Sequence, residues 1–415
     1  MEGCERFECF RSFSGVFPQH HPCQSLRMHA GKLIFAQITD LIHPEQFRRC
    51  VRRYQGEYKV KSFSCWSQFV CMAFGQLTFR ESLRDVETCL RSRADQLYHL
   101  GLRGEVSHST LADANRERDW RIYHDLAQLL IRRARVLYHD EPTGLDLKET
   151  AYALDSTTID LCLNLFPWAR FRRAKGAIKL HTLLDLRGSI PVFIAISQGK
   201  QADVRVLDEL VLEPGSFYVM DRGYVDFRRL YGFVLASAFF VTRSKSGLRL
   251  NRLESRPVDP STGVRSDQIV RLRNPSSIQH YPDKLRRIHY VDAETEKSLT
   301  FLTNNFELPP LTIARLYKGR WKVELFFKGI KQHLRIKHFY GTSDNAVRTQ
   351  IWISVCVYVL VAIVKKQSRS PRSLYSILQI LSVNAFSKEP LHQVLSESEP
   401  QNSGDDLCNQ LIFNY

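Results

Sequence analysis

Apolar residues recur at helical spacing through the first third of the chain. The positions between Leu33 and Ile42 repeat every three or four residues until His43-Pro44 interrupts them, which is the pattern of an amphipathic helix. The same spacing predicts further helices at Cys65–Phe74, which Gly75 is expected to end, at Ser82–Leu90 and at Asp119–Tyr138. We therefore predict that residues 29–140 are all-α.

Beyond this region the apolar residues change to the short runs and alternation typical of β-strands. Ala151–Leu154 is predicted to be a short strand that ends at Asp155, and Phe217–Met220 a buried strand that ends at Asp221. Between them, Arg187-Gly188-Ser189 predicts a hairpin turn. The predicted order is β-β-β-α-β-α-β, an α/β arrangement whose first and fourth strands each end in a carboxylate.

The last third of the chain combines strands and helices. Short alternating segments separated by Pro, Gly and Asp predict a β-rich insertion over residues 244–308. Tyr317–Lys331 is predicted to be one helix, and Ile351–Val364 a buried core helix because it falls short of the roughly 20 residues that span a bilayer. A final helix is predicted near Leu374–Leu381, and the acidic tail after Lys388 is predicted to be loose.

A chain of 415 residues is long enough for two or three domains, each with its own core. The changes of pattern place the boundaries between them. In order, the predicted segments are a disordered lead-in (1–28), a helical domain (29–140), the first part of an α/β core (150–243), a β-rich insertion (244–308), the second part of the core (309–366) and a C-terminal helix with a loose tail (367–415).

The charge balance indicates an anionic partner. Lys and Arg number 59 against 43 Asp and Glu, a formal net charge of +16, which favours nucleic acid or an anionic membrane surface. The first residues lack the apolar run of a signal peptide, and Ile351–Val364 is too short for a membrane span, so we expect neither a signal peptide nor a membrane anchor. The ten cysteines form no C-x-x-C pair. We expect a cytoplasmic protein without a membrane partner, and a DNA-binding role for the basic helices of residues 29–140. A purely solubilising role for the charge stays open.

Four polar residues share one stripe of the predicted helix Tyr317–Lys331. At about 100° per residue, Tyr317, Arg320, Glu324 and Lys331 fall within an arc of roughly 60°. A carboxylate between two cations and a tyrosine suits a site for a metal ion and a phosphate. Asp155 and Asp221 at strand ends would add the oxygen ligands that Mg²⁺ prefers, although a single strand-end Asp is more often a turn former.

These residues resemble a family, the bacterial insertion-sequence transposases of the DDE class. The resemblance is to the insertion-sequence-four branch, whose mark is Tyr-x2-Arg-x3-Glu-x6-Lys, and every spacing is met here by Tyr317, Arg320, Glu324 and Lys331. Asp155 in Leu-Asp-Ser-Thr and Asp221 in Asp-Arg-Gly-Tyr match the first two acids. Two further blocks, Lys175–His181 and Phe301–Asn304, are also similar to the family. The resemblance covers roughly residues 29–385.

The resemblance implies an RNase H-like catalytic core, a mixed sheet flanked by helices, with a β-rich insertion, an all-α domain before it and helices after it. It implies cut-and-paste transposition, with metal-dependent cleavage at terminal inverted repeats and attack of a 3′-hydroxyl on target DNA. Two Mg²⁺ ions, for which Mn²⁺ can substitute, would be bound by the catalytic residues Asp155, Asp221 and Glu324. The implied DNA contacts are Tyr317, Arg320 and Lys331.

The implied partners are the terminal repeats and target DNA, bound by a homodimer in the bacterial cytoplasm and, with DNA, at the nucleoid. Two alternatives stay open. An RNase H-like nuclease without strand transfer would not need the basic helical region. A catalytically retired DNA-binding protein would have no reason to keep Asp155, Asp221 and Glu324.

The chain departs from the family at one point. Some members stack a flipped base on a tryptophan of the insertion, whereas the five tryptophans here all lie outside residues 244–308. Tyr281 or Tyr290 is the candidate replacement, because any aromatic face can stack a base. Trp321, on the predicted catalytic helix, is expected to belong to the core.

Overall fold

The structure is a computed structural model that describes residues 31–144, 147–172, 175–334, 336 and 338–396. The predicted lead-in, residues 1–28, and the tail beyond residue 396 lie outside the described residues. Residues 31–144 contain six α-helices, α1 (Ile34–Thr39), α2 (Pro44–Arg53), α3 (Cys65–Leu77), α4 (Leu83–Arg91), α5 (His108–Glu117) and α6 (Arg121–Leu137).

Local sequence explains where these helices begin. Pro44 occupies the first turn of α2, where its missing N–H costs nothing. The Ser64 side chain caps α3, and Ser82 forms a capping box with Asp85 at α4. The prediction that Gly75 ends α3 is wrong. A Cβ at this position would lie 2.8 Å from Val86 Cγ2, so the glycine permits close helix packing and the helix continues.

The rest of the chain forms a large mixed sheet. Its strands are β1 (Ala151–Leu161), β2 (Arg170–Arg172), β3 (Lys175–Asp185), β4 (Ile190–Gln198), β5 (Phe217–Met220), β6 (Phe239–Arg243), β7 (Leu250–Arg256), β8 (Val264–Leu272), β9 (Leu285–Val291) and β10 (Ser298–Thr303). The strand order is β2-β3-β1-β5-β6-β10-β9-β8-β7, with β4 on β3. Strands β1, β5 and β6 are parallel and the other pairs are antiparallel, which confirms the α/β prediction.

The prediction that β1 ends at Asp155 is wrong. Parallel pairing with β5 stops at Leu154 opposite Met220. Antiparallel pairing with β3 continues from there until Leu161 faces Gly176. Because β3 still satisfies the backbone of β1 on one side, the strand runs on past the point where β5 leaves it.

Helices cover the sheet and complete the chain. They are α7 (Phe227–Leu235), α8 (Pro275–His280), α9 (Pro310–Gly319), α10 (Trp321–Lys328), α11 (Asp344–Ser368), α12 (Leu374–Asn384) and α13 (Leu391–Ser396). The prediction of a loose tail after Lys388 is wrong for the described residues up to 396, because Leu391 and Leu395 are buried and hold α13 against the protein.

Residues 244–308 contain β7 to β10 and the short helix α8. They extend the sheet rather than forming a separate one, since β10 pairs antiparallel with β6. The sequence did not predict β7, because this edge strand is mostly polar and almost wholly exposed. An exposed strand lacks the apolar alternation by which strands are recognised.

The two faces of the sheet belong to different cores. Ala153 and Val219 face a core formed with α9, α10 and α11, which also includes the N-terminal helices. Leu154 and Met220 face the opposite core, formed with α7 and the insertion. Helix α11 is long and apolar enough to cross a membrane, yet 94% of its apolar window is buried inside the protein, as the prediction of a core helix requires.

The turn between β3 and β4 provides a test of this packing. Gly188 has φ +69, and a Cβ there would lie 2.1 Å from Tyr138 Cδ1. We expect Gly188→Ala to lower the thermal midpoint much more than Gly215→Ala. Gly215 also has positive φ, +77, but nothing lies within 4 Å of its Cβ position, so its alanine variant carries only the backbone cost of about 1 kcal/mol. Equal midpoints for the two variants would contradict the contact with Tyr138.

Candidate active site

The sheet brings Asp155 and Asp221 together. Leu154 on β1 faces Met220 on the parallel strand β5, so the next residue of each strand is an aspartate at the same edge. Side chains alternate along a strand, and both aspartates therefore continue the face of Ala153 and Val219, which packs on α9 and α10. The carboxylates point toward the helices that carry the other candidate residues.

Glu324 reaches this edge from α10. The predicted single helix is interrupted at Arg320, which ends α9 and begins α10, and residues 329–333 form a π-helical turn. The prediction of one uninterrupted α-helix is therefore wrong. The backbone of Arg320 stays helical, with φ −56 and ψ −29, so the polar stripe is retained across the junction.

Arg320 joins two of the three carboxylates. Its Nη1 donates to Asp155 Oδ2 in a short contact, and its Nη2 donates to Glu324 Oε1 at 2.6 Å. The side chains of Arg320 and Asp155 are only 16% and 19% exposed, so solvent screens this pair weakly. The guanidinium lies between the carboxylates and holds them at one place.

Tyr317 makes the link to the third carboxylate. Its hydroxyl donates to Asp221 Oδ1 at 3.3 Å. The ring packs against Phe301 at a centroid distance of 4.9 Å, and the Arg320 guanidinium lies 5.8 Å from its centre. A buried tyrosine ring with its hydroxyl on a carboxylate orients that carboxylate.

Lys331 lies at the far side of the cluster. It belongs to the π-helical turn Gly329–His333, and its Nζ donates to the carbonyl oxygen of Thr158 at 2.6 Å. Thr158 lies on the part of β1 that extends beyond Asp155. Tyr317, Arg320 and Lys331 thus contact β1 or the residue after β5, and Glu324 contacts Arg320.

The electrostatics of Asp155 reflect this crowding. Burial raises the pKa of Asp155 to about 6, and the charges of Glu324 and Asp221 add to the rise, while Arg320 and the Ser156 backbone N–H oppose it. A carboxylate whose ionisation is disfavoured despite an arginine partner lies where further positive charge would be stabilising. Perturbed carboxylates of this kind are common at functional sites, including sites that bind cations.

The donor chemistry fits Mg²⁺, because three carboxylates supply the hard oxygen ligands that this ion prefers. In the described residues, however, no three His, Cys, Asp or Glu side chains lie close enough to one another to hold a metal ion. Arg320 occupies the space between Asp155 and Glu324 instead. The structure brings the predicted ligands to one place but not to coordinating distances.

Supporting residues hold the strand ends in position. Thr242 on β6 donates through Oγ1 to the carbonyl oxygen of Asp221 at 3.2 Å. The Asn304 side chain accepts a hydrogen bond from the Phe240 backbone N–H at 2.9 Å and donates one to the Ala238 carbonyl oxygen at 2.8 Å. These two bonds continue the hydrogen bonding of β6 beyond its pairing with β10. The sequence did not identify these roles, although Asn304 belongs to the family-like block Phe301–Asn304.

Two predictions about aromatic residues are wrong. Trp321 was expected in the core, but it is 57% exposed, because it faces away from the packed side of α10. Tyr281 was a candidate for stacking a base, but it is fully buried against Phe227, Tyr231 and Phe240. A DNA base cannot reach its ring.

Two segments of the chain match known protein families. Residues 146–360 match the family described as Transposase DDE domain, and residues 30–103 match a domain of unknown function, DUF4372. Three relatives carry the word transposase in their names. The y4zB protein of Sinorhizobium fredii (strain NBRC 101917 / NGR234) is 33% identical over 263 residues, which cover 62% of this chain and 72% of that protein.

The transposase for insertion sequence element IS5377 of Geobacillus stearothermophilus is 28% identical over 255 residues, which cover 61% of this chain and 66% of that protein. Among solved structures, a piggyBac transposase synaptic complex with hairpin DNA has a TM-score of 0.44 and 12% identity, over 87% of this chain and 81% of that chain. A likeness this weak supports no conclusion about the present fold.

The raised pKa of Asp155 gives a testable pH dependence. The pKa rises on folding from its ordinary 3.8 to about 6, so ionisation opposes folding, and the stability of the metal-free protein falls as pH rises between these values. We expect that in Asp155→Asn the free energy of unfolding falls with pH by up to about 3 kcal/mol less than in wild type. Urea unfolding in EDTA between pH 4 and 7.5 measures it.

Asp160→Asn is the matched control, because Asp160 is an exposed carboxylate on the same strand. It is expected to leave the pH dependence unchanged. If Asp155→Asn keeps the wild-type slope, Asp155 ionises at its ordinary value and the crowding of charge described here is absent.

Proposed function

The chain belongs to the DDE transposase family, and from that premise we propose that it cuts and rejoins DNA at the carboxylates of Asp155, Asp221 and Glu324. Membership makes the protein an enzyme of the DDE transposase class, a DNA transposase whose partner is DNA and whose cofactor is a divalent cation. The observation that carries the proposal is the meeting of the three carboxylates around Arg320 and Tyr317.

Asp155, Asp221 and Glu324 would hold the cations. When bound, two Mg²⁺ ions, or Mn²⁺ in their place, supply positive charge that stabilises the attacking and leaving oxygens of a phosphoryl displacement. Asp155 and Asp221 come from adjacent parallel strands and Glu324 from the helix packed over them. Rigid elements on three sides keep the carboxylates from drifting apart, which favours a fixed reaction geometry.

The remaining residues of the stripe would bind the DNA backbone. Arg320 presents a planar fork of N–H donors that suits a phosphate. Lys331 contributes a charge on the side of the site beyond Glu324, and Tyr317 a hydroxyl beside Asp221. Phosphate contacts of this kind set the register of the DNA on the protein without reading its sequence.

We assign the reaction to cut-and-paste transposition, in which cleavage at the terminal inverted repeats is followed by attack of the 3′-hydroxyl on target DNA. The Tyr-Arg-Glu-Lys spacing supports the insertion-sequence-four branch. The mixed sheet with a carboxylate after two adjacent parallel strands supports an RNase H-like core in residues 150–243 and 309–366. The strands of residues 244–308 support an insertion between the two parts.

The helices of residues 29–140 are proposed to bind the element ends. Support comes from their exposed basic side chains, among them Arg48, Arg49 and Arg52 on α2. Cleavage and joining at two ends requires two copies of the site, and we propose a homodimer in the DNA complex. The cell compartment consistent with this function is the cytoplasm, with the nucleoid as the site of action.

Glu324→Gln tests the catalytic assignment. Loss of one carboxylate charge is expected to reduce Mg²⁺-dependent nicking of terminal DNA roughly a thousandfold or more, because such sites contribute several kcal/mol through charge. DNA affinity, measured by fluorescence anisotropy, should change little. Glu307→Gln, an exposed glutamate before α9, should retain wild-type nicking. Nicking by Glu324→Gln at the wild-type rate would remove Glu324 from the catalytic set.

Lys331→Ala tests the phosphate contact. The affinity for DNA is expected to fall by a similar factor for every sequence, and the slope of log affinity against log salt to decrease by about 1. Lys148→Ala serves as the control, since Lys148 is exposed and precedes the opposite end of β1. An unchanged salt slope in Lys331→Ala would contradict the contact.

A further inference from the structure

The position of Arg320 relative to the carboxylates has a consequence for cation binding. One guanidinium bridges Asp155 and Glu324, the first through Nη1 and the second through Nη2. A guanidinium is a planar group of fixed shape. It fills the space in which a small cation would have to lie to contact both carboxylates at about 2.1 Å. Arg320 and a bridging metal ion therefore exclude each other.

The bridging arrangement leaves Arg320 incompletely satisfied. Its Nε is buried and has no hydrogen-bond partner in the described residues. Such donors are rare in folded proteins because they lose their hydrogen bonds to water without replacement. A phosphate can accept from Nε and one Nη together, a bidentate contact that the present pair of carboxylates does not give. Arg320 thus has a second favourable partner that is absent without DNA.

We infer that Arg320 is an internal counterion which fills the carboxylate cluster in the DNA-free protein, and that its transfer to a DNA phosphate opens the cluster to divalent cations. This inference rests on the proposed function, which supplies the DNA and the metal ligands. It makes cation affinity depend on whether DNA is bound. A transposase without DNA then holds its metal weakly.

The inference predicts reciprocal coupling. If a DNA phosphate must draw Arg320 away before the cation can bind, DNA raises the affinity for the cation, and the cation raises the affinity for DNA by the same factor. Couplings of this kind usually amount to roughly 5- to 150-fold. In the absence of DNA, a variant without the guanidinium should bind cations more tightly than wild type does.

Calcium binding to the full chain without DNA tests this directly, with isothermal titration and thermal shift as readouts. Arg320→Gln is expected to bind Ca²⁺ at least about fivefold more tightly than wild type. Its thermal midpoint in EDTA should fall, because Asp155 and Glu324 then lack their shared counterion, and should rise more on adding Ca²⁺. Equal or weaker Ca²⁺ binding by Arg320→Gln would overturn the inference.

Two variants and one control sharpen the result. Arg320→Lys keeps the charge but lacks the planar fork that reaches each carboxylate through a separate nitrogen, so its Ca²⁺ affinity should lie between the others. This variant decides the question if Arg320→Gln does not fold. Arg320→Gln combined with Glu324→Gln should lose the gain. Arg315→Gln removes one exposed charge from α9 and should bind Ca²⁺ as wild type does; an equal gain there would indicate a net-charge effect and overturn the inference.

The DNA arm uses a 20-base-pair duplex at fixed ionic strength. Adding it should lower the Ca²⁺ concentration that half-saturates the thermal shift of wild type by about 5- to 150-fold, and that of Arg320→Gln by much less. Equal shifts would overturn the coupling. If Arg320→Gln behaves as wild type while Glu324→Gln loses nicking, the inference fails and the proposed catalytic site stands.

Discussion

The parallel register of β1 and β5 is the constraint on which the site depends. Leu154 opposite Met220 sets Asp155 beside Asp221, and both residues then point to the face occupied by Ala153 and Val219. A slip of one residue would turn the apolar side chains of a strand to the wrong core. Because both faces of these strands are buried, the hydrophobic effect that fixes the register also fixes the carboxylates.

The same burial disfavours ionisation of Asp155. Desolvation and mutual repulsion raise the pKa of Asp155, and Arg320 only partly compensates. Ionised groups in such places need a counterion, and the chain supplies one from the junction of α9 and α10. The core beneath α10 fixes the position of this junction. There the ring centroids of Phe326 on α10 and Tyr358 on α11 lie 4.9 Å apart. Helix α11 also packs on α3 and α6, so α10 and the N-terminal helices share one support.

A buried ion pair inside the insertion also contacts the segment that leads into α9. Arg286 on β9 is 2% exposed and makes two hydrogen bonds to Asp267 on β8, at 2.9 and 2.7 Å. Its Nη1 donates to the carbonyl oxygen of Leu308 at 2.6 Å, in the segment that leads into α9. Such a fully bonded pair fixes geometry more than it adds stability. The insertion and the start of α9 are therefore held together.

The sequence by itself determined many of the elements and the candidate residues, because apolar periodicity, caps and the spacing from Tyr317 to Lys331 are local properties of the chain. It predicted the strand before Asp221 with its observed bounds, and the buried character of α11. Tertiary structure decided which residues that are distant in the chain contact one another. The extension of β1 depends on β3, the exposed strand β7 on its neighbour β8, and the exposure of Trp321 on which side of α10 is packed. The bridging position of Arg320 depends on β1, 165 residues earlier in the chain, and no local pattern encodes that distance.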